Sequence, residues 1–79
     1  MSETTQDRTR ALLEEAIQAA DGSLTRALVL REVEGWDSMG AVHFIGLVKE
    51  HLEVELTVHD LRESTTVGDL LDRVQELKG

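Results

Sequence analysis

Cysteine, proline and tyrosine are all missing from this 79-residue chain, and its aromatic set is one Trp and one Phe. Without cysteine there is neither a disulfide framework nor a protein thiol nucleophile, so any thiol chemistry must be imported. The shortage of aromatics leaves the core to Leu, Ile, Val and Ala, a palette suited to helix faces meeting helix faces. Positive charge is also scarce. Eight basic residues stand against sixteen acidic ones, a net charge of −8, which argues against phosphate-backbone binding and favours partners with basic surfaces. No nucleic-acid ligand is expected. No run approaches the roughly 18 to 20 consecutive apolar residues of a membrane span, and Met1-Ser2-Glu3-Thr4-Thr5 lacks a basic-then-apolar signal pattern. A cytoplasmic protein is expected, with residues 1–79 as one small domain around one core.

Helical periodicity dominates what is present. Leu12, Leu13, Ala16, Ile17 and Ala20 form one apolar stripe, which predicts a first helix from about Thr5 to Ala20 stopped by Asp21-Gly22. The segment from Asp21 to Asp37 is irregular, yet Leu24, Leu28, Leu30 and Val33 are too apolar for a loose tether and should pin it over the bundle. Trp36 should pack on the same core. A second helix is expected over Ser38–His51, with Ala41, Val42, Phe44, Ile45, Leu47, Val48 and Leu52 at helical spacing. An extended link at Glu53–Leu56 leads to a helical turn near Val58–Arg62. The last helix starts at Thr66, where Asp69 three positions on imitates a capping box, and buries Val67, Leu70, Leu71, Val74 and Leu77. Val54 and Leu56 alternate like a strand but are too few to support a sheet. The expected architecture is all-α: a small four-helix bundle, three main helices plus a short third one, with a long loop between the first two.

Ser38 stands out because the loop becomes a helix there. Asp37 is a good N-cap, and a side chain in the first turn is exposed and reachable by another enzyme. The unpaired N–H groups and positive dipole end at that position favour an incoming phosphate. The plainer alternative is that Asp37 and Ser38 only cap the helix.

Other constellations fail on spacing. His43, His51 and His59 are eight residues apart, whereas a helical metal pair needs neighbours three or four apart. Asp21-Gly22-Ser23 lacks the alternating oxygen ligands of a calcium loop. There is no glycine-rich phosphate loop and no GxSxG elbow. No intrinsic metal and no catalytic residue is assigned.

The ordered set Trp36-Asp37-Ser38-Met39, followed by Ser64-Thr65-Thr66-Val67-Gly68-Asp69-Leu70, resembles the acyl carrier protein family over nearly the whole chain. The resemblance implies that Ser38 carries a 4′-phosphopantetheine arm, transferred from coenzyme A by a phosphopantetheinyl transferase, whose thiol holds acyl groups as thioesters. Tethering the intermediate lets it visit several enzymes without diffusing away. Asp37 matches the family's acidic position and would contact magnesium during the transfer, alongside its capping role. Met39 corresponds to a partner contact, whereas Val42 is assigned to the core. Phe44, Ile45, Val48, Leu56 and Leu61 resemble positions that line the acyl cavity of carriers that sequester their cargo, and would also be core in a carrier without one. The implied partners are the transferase and an acyl-adenylating ligase, acyltransferase or ketosynthase; a monomer suits a shuttle.

The departures from the family are informative. Fatty acid carriers have a strongly acidic second helix, yet residues 38–52 hold only Lys49 and Glu50. Gly40, His43, Lys49 and His51 stand where acids are common, and Gly46 replaces a larger apolar contact. Charge-dependent docking would weaken, which points to a dedicated polyketide, nonribosomal peptide or modified fatty acid pathway. Asp37-Ser38-Met39-Gly40 with Val42 also looks like D-alanyl carriers, which leaves an aminoacyl carrier as an alternative. From other classes, an unmodified acidic helical interaction module would dock through Met39 and Phe44, and a hydrolase using Ser38 ranks last.

Overall fold

Three Thr-x-x-Asp boxes start three of the four helices found in the computed structural model, which describes residues 4–79. In each, the threonine side chain accepts the N–H of the aspartate three positions on, and the aspartate carboxylate accepts the threonine N–H in return. Two unpaired donors of the first turn are thereby satisfied at once. Thr4 opens α1 (Thr5–Ile17), Thr57 opens α3 (Val58–Glu63) and Thr66 opens α4 (Val67–Lys78). The remaining helix, α2 (Ser38–Leu52), is capped by Asp37. A short 3-10 turn, Leu30–Glu32, lies in the long loop between α1 and α2.

The expected all-α bundle is therefore present, with a six-residue third helix. Its core joins Leu13, Ala16 and Ile17 of α1 to Phe44, Val48 and Leu52 of α2, and to Val67, Leu70, Leu71 and Val74 of α4. In the link between α2 and α3, Val54 and Leu56 are buried while Glu53 and Glu55 face water. That alternation serves one extended segment lying on a core rather than a sheet.

Four expectations need correction. The first helix ends at Ile17 rather than Ala20. Gln18 adopts the left-handed conformation (φ 59°, ψ 37°), and the N–H of Ala19 donates to the Glu14 carbonyl at 2.8 Å. This closes the helix in the Schellman manner where its last core side chain ends, and Asp21-Gly22 forms a separate turn after an exposed Ala20. Val42 is 65% exposed, not core. Leu77 is 41% exposed, because Val74 is the last α4 residue to enter the core. Leu28 of the loop is also exposed.

The loop is nonetheless pinned, by Leu24 and Leu30 in the core and by backbone bonds. Leu30 N–H donates to the Thr65 carbonyl (2.9 Å), Val67 N–H to Leu28 (2.8 Å) and Gly68 N–H to Arg26 (2.9 Å). Gly68 permits the last of these, since a Cβ there would lie 3.1 Å from the Arg26 carbonyl oxygen. From the other side, the buried carboxylate of Glu14 accepts the Leu24 N–H at 3.3 Å. A buried acid is tolerated when it is hydrogen-bonded.

Candidate functional site

The start of α2 is a backbone clamp built from glycines. Gly35, at φ 91°, occupies a conformation that side chains with a Cβ rarely adopt, and a Cβ there would come within 2.9 Å of the Ile17 carbonyl oxygen. A Cβ on Gly40, in the first turn of α2, would lie 2.5 Å from the Gly35 carbonyl oxygen. The end of α1, the end of the loop and the start of α2 thus meet main chain to main chain. Asp37 locks the junction: its Oδ1 accepts the Gly40 N–H at 2.8 Å, and its carbonyl accepts the Ala41 N–H at 2.8 Å. Trp36 is half-buried and meets the buried ring of Phe44 edge-on, with centroids 6.1 Å apart and planes at 69°. An edge-to-face pair of this kind fixes ring orientation as well as burying area.

Ser38 is the first helical residue and is exposed. Capping is performed by Asp37, so the serine hydroxyl is left to solvent. It stands on a ridge between two hollows. One, of about 540 Å³, lies between the loop, α2 and α3 and is lined by Trp36, Ile45 and Leu61 among others. The second, of about 740 Å³, lies towards the end of α1, with Ile17, Gly35, Met39 and His43 in its wall.

The residues singled out by sequence divide clearly. Asp37, Ser38 and Met39 share the exposed ridge, with Met39 83% exposed. Of the five residues assigned to a cavity or core, Ile45 and Leu61 line the hollow beside Ser38. Phe44, Val48 and Leu56 lie in the packed core and line neither hollow. Val42 joins both walls instead of the core. Sequence reasoning missed the Gly35–Gly40 contact, although two glycines flanking Trp36-Asp37-Ser38-Met39 are its signal. It also missed Arg31 and Arg62, which line the hollow beside Ser38 from the loop and from α3.

The model of the family described as "Phosphopantetheine attachment site" matches residues 7–74, the greater part of the chain. The chain belongs to that family. Among solved structures, the fold is similar to the solution structure of a holo acyl carrier protein from Geobacter metallireducens, with a TM-score of 0.75 and 23% identity over 92% of this chain and 84% of that one. No curated protein matches the chain. It is a carrier of the acyl carrier type rather than an enzyme, and its prosthetic group is covalently attached 4′-phosphopantetheine. The residues fit such a group: an exposed alcohol on a rigid base, with an open hollow on either side, leaves room for a bulky substituent. When bound, the group supplies the thiol that the chain itself lacks.

No group of three or more His, Asp or Glu side chains able to hold a metal occurs among the described residues. No helix there is long and apolar enough to cross a membrane.

Proposed function

We propose that Ser38 is the attachment residue and that this carrier serves a dedicated pathway rather than general fatty acid synthesis. The observation that carries the reading is the exposed Ser38 hydroxyl on the Asp37–Gly40 clamp. A phosphopantetheinyl transferase would join the Ser38 oxygen to the arm as a phosphodiester, breaking the pyrophosphate of coenzyme A so that adenosine 3′,5′-bisphosphate leaves and the hydroxyl proton is released. The carrier's part is positional. Asp37 caps the helix through one carboxylate oxygen, and its second oxygen is a hard ligand suited to the magnesium that accompanies the pyrophosphate. The first-turn N–H groups, together with the helix dipole, favour the phosphate once it is attached.

Exposed Met39 (83%), Val42 (65%) and Val58 (52%) add an apolar face to α2 and α3 beside the serine. We assign this face to the enzymes that load and unload the arm: an acyl-adenylating ligase, an acyltransferase or a ketosynthase. With only Lys49 and Glu50 as formal charges on α2, docking there relies on apolar contact more than on charge steering. A monomer in the cytoplasm is the form that fits a shuttle. The test is intact mass after incubation with coenzyme A and a broad-specificity transferase. A gain of one phosphopantetheine, lost in Ser38→Ala, supports the assignment, and an unmodified folded protein refutes it.

A further inference from the structure

Cations are few in this chain, and most are occupied. Arg10 pairs with Asp7, Arg26 with Asp72, Lys49 with Glu55, and Arg73 with Asp60 and Glu76. Arg8 donates to the His51 carbonyl, and Lys78 to that of Leu52. Among the described residues, Arg31 and Arg62 alone have neither an ion pair nor a hydrogen bond, and both line the hollow that contains Ser38. The acids nearest in sequence to Arg62 face other partners: Asp60 holds Arg73, and Glu63 lies against the His59 ring. In a protein with sixteen acidic residues, two unpaired arginines brought to one rim from positions 31 residues apart are conspicuous.

The floor of that hollow is apolar, with Trp36, Ile45 and Leu61 among its lining, and its volume of about 540 Å³ is within the range of small-ligand pockets. An apolar floor whose rim sets two guanidinium groups against the single carboxylate of Asp37 matches an occupant that is apolar along its length and anionic at one end. The phosphodiester expected on Ser38 already has the first-turn N–H groups of α2 to receive it, which leaves the arginines for another anion.

We propose that Arg31 and Arg62 select cargo ending in a free carboxylate, so that the hollow holds a half-thioester of a dicarboxylic acid in preference to a neutral acyl chain of equal length. The proposal rests on Ser38 being the attachment residue. Guanidinium groups suit carboxylates because their fork of N–H donors meets both oxygens. The pairs are solvent-exposed, so together they should give roughly a three- to tenfold effect.

The test loads the carrier, through a broad-specificity transferase, from hexanoyl and adipoyl coenzyme A, with loading checked by intact mass. Spectra of the holo and both loaded forms then follow the backbone amides of Ile45 and Leu61 and the side-chain N–H signals of Arg31 and Arg62. The expected result is that adipoyl shifts both arginine signals and hexanoyl does not. The adipoyl thioester should also hydrolyse roughly three- to tenfold more slowly than hexanoyl, a difference that disappears in the Arg31→Gln, Arg62→Gln double variant and at high salt. Equal spectra and hydrolysis for the two cargoes overturn the proposal. So do arginine signals already fully shifted in the holo form, which would assign the arginines to the phosphodiester. Failure to load at all refutes the role of Ser38 instead, so the two failures are distinguishable.

Discussion

The same substitution at two glycines of α2 should have opposite effects. Gly46 is exposed in the helix interior, and a Cβ there would meet nothing within 4 Å. Gly46→Ala therefore gains helix propensity at no steric cost, about 1 kcal/mol, which raises Tm by roughly 4–8 °C in a domain of this size. Gly40 is buried, and its Cβ would lie 2.5 Å from the Gly35 carbonyl oxygen, with Ile17 Cγ2 at 3.4 Å behind it. A main-chain oxygen cannot rotate aside, so the loop or the helix has to move. Overpacking of that kind costs about 1–3 kcal/mol, which offsets the propensity gain. The net expectation for Gly40→Ala is a loss of up to about 2 kcal/mol. Urea unfolding of both variants reads the signs directly. Because the same displacement shifts the base on which Ser38 sits, Gly40→Ala should also slow phosphopantetheine transfer, whereas Gly46→Ala should not. A Gly40→Ala protein as stable as Gly46→Ala and modified at the normal rate would refute the clamp.

Ser38→Ala should unfold within about 0.5 kcal/mol of the parent protein, since the hydroxyl is exposed and does not cap the helix. Asp37→Ala should lose about 1 kcal/mol in urea unfolding while Asp37→Asn retains most of the stability; transfer rates of the two variants then separate capping from the carboxylate charge. Phe44→Ala removes the ring against which Trp36 packs and should cost about 3–5 kcal/mol, with a change in Trp36 fluorescence. Acid stability should reflect two carboxyls held below the 3.8 of free aspartate: Asp60 chiefly by the Thr57 N–H, with the Arg73 guanidinium adding to it, and Asp69 chiefly by the Thr66 and Thr65 N–H groups. Lowered folded values mean that their contribution is complete above that pH and is lost as the pH falls through them. Urea midpoints should therefore decline below about pH 4, less steeply in Asp60→Asn, which should already be less stable at neutral pH.

The helices and the exposed serine were legible because local signals agreed with global packing: aliphatic stripes, an Asp cap and a Thr-x-x-Asp box. Two further boxes, Thr4 with Asp7 and Thr57 with Asp60, carry the same signal and define starts that periodicity alone leaves vague. Val42 shows how periodicity misleads. Ala41, Phe44, Ile45, Val48 and Leu52 already complete a face at three- and four-residue steps, and Val42 falls beside it. The stop of α2 was legible to within one residue, whereas that of α1 was not. Gln18 and Glu53 take left-handed conformations without being glycine, a choice made by where the core contacts end. Arg31 and Arg62 were also hidden, since only the fold brings a loop residue and a residue of α3 to one rim.

The hydrogen bonds from Leu30, Val67 and Gly68 have a mechanical corollary. They stitch one wall of the hollow beside Ser38 to the start of α4, so that wall shares the rigidity of the bundle. Accommodating a wider passenger then falls to α3, a helix of under two turns moored through Leu61 and the Asp60–Arg73 link. Girth would be read on one side of the berth only, with that tether acting as the spring.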